Sequence, residues 1–397
     1  MCPQGSEQHP EMRLAKRTFG LERSAIREMF DLAQQYDDDD LVHLEIGEPD
    51  FDTPAHITEA AAAAAEGGAT HYTSNAGLPE LRAAIADDIT SEHRYDPDAN
   101  VIVTAGAMEA LSLAFLTLVD PGDEVIVPTP AWPNYRTQTA MVGGEYVEVP
   151  LDREQGFALD TERLAASITD DTALVLLTTP SNPTGQVYDR DAIARIVSTA
   201  AAHDAVVVAD EVYKDLVYDT TATAVADATD HPEHVVTLGS CSKTYAMTGW
   251  RVGWFAAPEP VVDAATKFHE SVVACAPSVS QHAALAALTG DQAPIEEMYE
   301  AFRRRRDLLV DLVDALPTVT CPRPEGAFYA FLDVSSVDAD SMTISKRLLD
   351  EHGVVTAPGV GFGADVDDHL RVSFATDEDR LTEGFERIGQ FLEAEGV

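Results

Sequence analysis

Lysine is scarce in this chain, and Lys16, Lys214, Lys243, Lys267 and Lys346 are its whole complement. One of them, Lys243, stands among Ser240, Cys241, Ser242 and Thr244 in a small-residue turn between two apolar runs, VVTLGSCSKTYAMTGWRVGW over 235–254. A buried or semi-buried lysine loses its charge readily and can then attack an aldehyde to form an imine, chemistry closed to a guanidinium. The hydroxyls of Ser240 and Ser242 and the fork of Arg251 suit a phosphate beside it. An imine-forming lysine next to a phosphate cradle points to pyridoxal phosphate. A nucleotide-binding G-x-x-x-x-G-K-[ST] loop ending at Lys243 and Thr244 fails, because its glycine positions hold Thr237 and Ser242. The plain alternative is a loop lysine with a structural arginine nearby.

The elements that must position these groups are legible as an alternation. Apolar runs at 101–104, 124–127, 173–178, 205–209, 235–238 and 252–256 interleave with helical stretches such as 107–118, 190–203 and 261–271. That alternation predicts an α/β fold with a mainly parallel sheet covered on both faces. In such a sheet, ligands bind beyond the carboxyl ends of the strands. Gly106, Ala107 and Met108 follow one strand and open a helix, where their amides can hold a phosphate. Trp132 follows the next as a plate that can stack on a flat ring. Asn182 in SNPTG, Asp210 and Tyr213 in ADEVY, and Lys243 follow three more. A carboxylate facing a ring nitrogen keeps it protonated, a role that suits Asp210, while Tyr213 and Asn182 can donate to a ring hydroxyl. Taken singly, Trp132 reads as packing, Asn182 as a turn residue and Asp210 as an ATPase acid. Their joint placement carries the pyridoxal reading.

Elsewhere, Ile26, Met29, Phe30, Leu32 and Ala33 have helical spacing, and helices are expected at 57–65 and 78–89 on either side of THYTSNAG. IGEPDFDTP, with two prolines and a glycine, marks a loop or domain crossing. From about Glu296 the register changes to a long helix bearing Arg303 to Arg306, short strands at 327–333, 354–356 and 369–374, and a last helix at 379–395. The expected organisation is a disordered arm at 1–15, with Met12 an alternative start, and a large cofactor-binding domain at 51–296. A smaller α+β domain is built from 16–50 and 297–397.

A hydrophobic share of 45% is ordinary for a globular core. No apolar run reaches membrane-spanning length and the N-terminus has no apolar signal region, so a cytoplasmic protein is expected. Cys2, Cys241, Cys275 and Cys321 lack C-x-x-C spacing, which argues against a zinc site or a disulfide framework. Asp and Glu number 69 against 26 Lys and Arg, a net charge of -43 that rejects nucleic acid and anionic membranes as partners. The acid is distributed along the chain, as in YDDDD near Asp37 and TDEDR near Asp377. It resembles proteins adapted to molar salt, where self-repulsion is screened over ~3 Å.

Together IGEPDFDTP, THYTSNAG, SNPTGQVY, ADEVY, SKTYAMTGWRVG, PEGAFY and LRVSFAT resemble the class I/II family of pyridoxal-phosphate-dependent aminotransferases, of fold type I. They are most similar to its aspartate and aromatic amino-acid subgroup, and the resemblance runs from about Ser24 to the C-terminus. It implies that Lys243 holds the cofactor, Asp210 faces the ring nitrogen, Tyr213 and Asn182 meet the ring hydroxyl and Trp132 stacks on the ring. It also implies that Ser240, Ser242, Arg251 and the turn at Gly106, Ala107 and Met108 hold the phosphate. Tyr72 would reach the phosphate from the second subunit of a homodimer. Arg371 would grip the substrate carboxylate, with Asn182 and the Gly47 backbone assisting, whereas the residues alone suggest a strand-end salt bridge. Aspartate-specific members carry a lysine at the position of Met108 and a small hydroxyl residue near Ile26. Here both are apolar, which leaves room for aromatic or aliphatic substrates and makes Arg27 a candidate donor for a distal carboxylate. The implied reaction is transamination in two half-reactions, with 2-oxoglutarate as acceptor. A lyase using the same parts, or a regulator that senses pyridoxal phosphate, are the competing readings; a regulator needs a basic DNA-binding module.

Overall fold

Unbroken apolar runs become strands here because a sheet buried on both faces accepts side chains of one kind at every position. In the computed structural model, which describes residues 15, 18, 21, 23–36, 41–91 and 95–397, the strands are β1 (Val42–His43), β2 (Val101–Thr104), β3 (Glu124–Thr129) and β4 (Glu145–Pro150). They continue with β5 (Thr172–Thr178), β6 (Val206–Asp210), β7 (Val235–Ser240), β8 (Gly253–Ala256), β9 (Tyr329–Asp333), β10 (Val354–Val355), β11 (Ala357–Pro358) and β12 (His369–Ser373). The helices are α1 (Ala25–Ala33), α2 (Ala55–Glu66), α3 (Pro79–Ile89), α4 (Ala107–Leu118), α5 (Asn134–Val142) and α6 (Thr161–Ser167). After them come α7 (Arg190–Ala202), α8 (Glu259–Val272), α9 (Ser278–Thr289), α10 (Ala293–Asp314), α11 (Ser341–His352) and α12 (Glu378–Glu395). The expected arm, apart from Ala15, lies outside the described residues, as do Cys2, Met12, Lys16 and the acidic run at 37–40.

Seven strands form the main sheet in the order β2-β8-β7-β6-β5-β3-β4. All run parallel except β8, which is antiparallel to both β2 and β7. The reason is the connection: β7 and β8 are joined by the loop 241–252 with no α-helix, whereas a parallel neighbour needs a crossover, usually helical. Ser240 at the end of β7 therefore pairs with Gly253 at the start of β8, and the loop carrying Lys243 and Arg251 is held at one sheet edge.

One face of the sheet, with Val101, Val103, Val175, Leu177 and Val207, packs against Ile57, Leu81, Ile85, Ile193 and Ile196 of α2, α3 and α7. The other, with Ile102, Leu174, Leu176, Val208 and Phe255, packs against Leu111, Phe115 and Val262 of α4 and α8. Residues adjacent along a strand thus serve opposite layers. A third cluster gathers Phe328, Leu332, Leu370, Val372, Phe385 and Ile388 around the three-stranded sheet β11-β12-β9, and Tyr213 and Tyr218 join it from beyond β6. β1 pairs in parallel with β10, which brings the segment before IGEPDFDTP to this side of the molecule.

Candidate active site

A cavity of about 370 Å³ opens at the carboxyl edge of the main sheet, lined among others by Gly47, Ala107, Met108, Trp132, Asn182, Asp210, Tyr213, Ser240, Ser242, Lys243, Arg251 and Arg371. Strands that end side by side bring together residues far apart in the chain. Asp210 and Ser240 are themselves the last residues of β6 and β7, where the apolar runs alone end those strands at Ala209 and Leu238. Their backbones still have ladder partners, Asp210 with Thr178 and Ser240 with Gly253, so the strands continue through polar side chains.

Lys243 Nζ donates to Gly47 O at 2.5 Å and stands 5.8 Å from the centre of the Phe328 ring. Burial, seconded by the Arg371 and Arg251 cations, pushes its ammonium down to about 8 against the pull of Glu48 and Asp210. The amine is therefore available as a nucleophile far below the usual lysine range. Gly47 is held over it by IGEPDFDTP, which is fixed at several points. Arg305 of α10 forks onto both oxygens of Asp50 at 2.7 and 2.9 Å, Phe51 meets Phe302 edge-on at 5.4 Å, and Thr53 donates to Ala246 O at 2.6 Å. A side chain at Gly47 would collide with Tyr329, because its Cβ would stand 2.7 Å from the Tyr329 Oη.

Asp210 is buried, and its Oδ2 accepts from Tyr135 Oη at 2.7 Å. Burial pushes its carboxyl up, while the Tyr135 hydroxyl, the Val212 amide and the Lys243 charge pull the other way. A cation placed opposite would complete the balance in favour of the carboxylate. Tyr213 Oη is 2.9 Å from Tyr329 Oη, and burial raises its phenol well above the ordinary value.

The cradle lies at the start of α4. Gly106 is the cap residue at φ 85 with no side-chain cap, so the first amides of the helix have no partner within it. Arg251, itself at φ 52, donates from Nη1 to Thr248 O at 2.7 Å and from Nη2 to Ala105 O at 3.4 Å. Its guanidinium passes so close that a Cβ on Gly106 would sit 2.7 Å from Nη2. Ser240 Oγ lies 2.7 Å from Ser242 Oγ. Amides, hydroxyls and a guanidinium converging from three elements make an anion site.

Arg371 on β12 is 3% exposed, donates to Asn182 Oδ1 at 3.2 Å and to Glu45 O, and lies over the Tyr329 ring at 4.4 Å. It has no carboxylate partner among the described residues, and its Nε is buried with no acceptor. The strand-end salt bridge that the residues alone suggest is not there. Trp132 meets Tyr135 edge-on at 5.5 Å on the cavity wall, beside Met108, whose sulfur accepts from Gln138 Nε2 at 3.7 Å, and Ile26. Arg27 does not face this space; it is exposed on α1 and lies 5.1 Å over Phe30, so it is no donor to a distal carboxylate here. Tyr72 is 87% exposed between α2 and α3, outside the cavity of its own chain. Residues that sequence reasoning missed are Tyr135, Thr178, Glu48, Thr248 and Tyr329. Tyr329 stands in PEGAFY with no role assigned to it, and Tyr135 lies one helical turn after Trp132.

A lysine amine, a buried acid and an anion cradle thus meet at the carboxyl edge of this sheet, and the chain belongs to the class I and II aminotransferase family, whose profile matches residues 39–388. It is a transaminase. Over 387 residues it is 38% identical to a probable aspartate aminotransferase of Methanocaldococcus jannaschii, covering 96% of this chain and 100% of that protein. The structure of Thermus thermophilus aspartate aminotransferase with maleate matches with a TM-score of 0.90 at 37% identity, covering 96% of this chain and 100% of the other. An aromatic aminotransferase from Pyrococcus horikoshii matches with a TM-score of 0.87 at 34% identity, over 94% and 99% of the two chains. These relatives favour transamination over the lyase and regulator readings. Among the described residues no helix is long and apolar enough to cross a membrane.

Proposed function

We propose that the chain is a pyridoxal-phosphate-dependent aminotransferase that moves the amino group of an L-amino acid, aspartate or glutamate or an aromatic one, to a 2-oxo acid such as 2-oxoglutarate. The observation that carries this is the placement of Lys243, with its ammonium pushed down to about 8, in one cavity with Asp210 and the Arg251 cradle. The donor set fits the cofactor group by group: an amine for the aldehyde, an acid for the ring nitrogen, and amides, hydroxyls and a guanidinium for the phosphate.

Lys243 would hold the cofactor covalently, Tyr213 and Asn182 would donate to its ring hydroxyl, and Trp132 would cover its ring. Ser240, Ser242, Arg251 and the Gly106, Ala107 and Met108 turn would hold the phosphate. When bound, the cofactor supplies an electron sink for the charge left when the substrate loses its α-proton. Arg371, whose Nε is buried without an acceptor while its Nη groups rest on Asn182 Oδ1 and Glu45 O, would bind the substrate α-carboxylate with Asn182 and Gly47. Lys243 Nζ would also be the base that takes the proton from the substrate α-carbon, and a lowered pKa suits it to that task near neutral pH.

We also read the chain as a homodimer in the cytoplasm. The exposure of Tyr72 supports a role in the neighbouring subunit's phosphate site. The reading keeps a large domain at 51–296, with the smaller one from 16–50 and 297–397. On the distal side, Met108 and Ile26 offer packing and no charge, and burying an unpaired carboxylate against them costs far more than burying a methyl group. The reading is broad specificity, with phenylalanine or tyrosine turned over besides aspartate or glutamate, whose distal carboxylate would need a donor other than Met108, Ile26 or Arg27. Steady-state rates over a panel of amino acids with 2-oxoglutarate decide it, and activity confined to aspartate and glutamate would refute the apolar reading.

A further inference from the structure

Glu109, in the first turn of α4, has both carboxylate oxygens engaged. Its Oε2 accepts from the Ala105 N–H at 2.5 Å, and its Oε1 meets His269 Nδ1 at 2.7 Å. His269, on α8, is fully buried, and its Nε2 lies 2.8 Å from Asn75 O. Asn75 in turn donates from Nδ2 to Ala274 O at 2.6 Å and belongs to the same loop as Tyr72. The turn that opens α4, the helix α8 and the Tyr72 loop are therefore linked through one buried imidazole.

Counting hydrogens decides the charge of this pair. A carbonyl oxygen only accepts, so Nε2 carries a hydrogen toward Asn75 O. The contact of 2.7 Å between Nδ1 and Oε1 needs a second hydrogen, because two lone pairs repel at that distance. The pair thus holds an imidazolium against a carboxylate, or the same proton on oxygen, and is neutral overall in both forms. Neutrality matters at this place. An unpaired carboxylate in the first turn of a helix competes with any other anion for the positive end of the helix dipole.

We propose that His269 is a positioning residue for the cofactor phosphate. It lets Glu109 anchor the Ala105 amide, and so the turn that begins α4, without presenting a negative charge to the phosphate dianion. It also ties that anchor to the loop of Tyr72. The inference rests on reading the Gly106, Ala107 and Met108 turn as the phosphate cradle.

The test is equilibrium dialysis of the full-length, cofactor-free protein against pyridoxal 5'-phosphate and against pyridoxal, which has no phosphate. The natural protein binds the phosphorylated form more tightly; equal affinities would refute the cradle itself and leave no phosphate for the pair to act on. His269→Gln weakens binding of pyridoxal phosphate about tenfold and of pyridoxal less than about twofold. In Glu109→Gln the amide oxygen still accepts from Ala105, and the amide nitrogen donates to a neutral imidazole. The preference for the phosphorylated form then stays within about twofold of the natural protein, and adding Glu109→Gln to His269→Gln restores most of it. Equal losses for the two ligands in His269→Gln, or the same phosphate-specific loss in Glu109→Gln, would overturn the proposal. Should His269→Gln not fold, ¹⁵N-histidine spectra of the natural protein decide: the resonances that move in Glu109→Gln show both ring nitrogens hydrogen-bonded to a proton, and an Nδ1 that neither carries a proton nor accepts one from Glu109 would overturn it.

Discussion

Tyr135 Oη donates to Asp210 Oδ2 at 2.7 Å and lies equally close to Thr178 Oγ1, so the buried acid at the end of β6 is oriented by a phenol from α5. Removing one partner of a buried charged group costs about 1–3 kcal/mol. Tyr135→Phe is therefore expected to raise the Asp210 pKa further and to lower kcat by about tenfold to a hundredfold. Asp210→Asn, which removes the charge itself, lowers it by more than about a hundredfold while cofactor is still bound. Steady-state kinetics with absorbance of the bound cofactor read both, and a Tyr135→Phe enzyme with unchanged kcat would detach Tyr135 from the site.

The Lys243 ammonium falls from 10.5 in an exposed lysine to about 8 here. Between those values the unfolded chain binds the proton and the folded one does not, so cofactor-free protein gains stability as pH rises through this window. Below about pH 8 the cost of the buried ammonium is fully present. The rate at which cofactor-free protein captures pyridoxal phosphate follows the neutral amine and has its midpoint near pH 8. Stopped-flow absorbance measures it, and a midpoint near 10.5 would show an amine in water.

Much of this was legible in the sequence where one signal sufficed. The runs at 101–104 and 107–118 coincide with β2 and α4, because an apolar strand buried on both faces and a turn with glycine bound them sharply. β4 was not expected: as an edge strand it pairs only with β3, and Glu145 and Glu148 break its apolar pattern. α9 was missed because SVSQHAALAALT, packed against both α2 and α3, has no clean polar face. The reversal of β8 follows from pairing, which no local pattern contains. In the site, Asn182, Asp210 and Lys243 were legible because each follows an apolar strand. Tyr135 is on a helix of weak periodicity, the outward course of Arg27 depends on how α1 is turned, and the want of a carboxylate partner for Arg371 among the described residues depends on contacts between distant segments.

Arg371→Lys keeps the charge and loses the planar fork. The expected result is a fall of about tenfold to a thousandfold in kcat/KM for amino and oxo acids alike, expressed mainly in KM, with cofactor binding intact. A variant with unchanged KM would place the α-carboxylate elsewhere.

The net charge of -43 predicts that low ionic strength destabilises the fold or the proposed dimer. Thermal unfolding from dilute buffer to molar potassium chloride should rise by about 5 °C or more, as self-repulsion is screened. A melting temperature independent of salt would contradict it.

The central claim is that Lys243 carries the cofactor. Borohydride reduction of the pyridoxal-phosphate-loaded protein, followed by peptide mapping, should place one pyridoxyl group on Lys243. A label on Lys214 or Lys267, with Lys243 unmodified, would contradict the account.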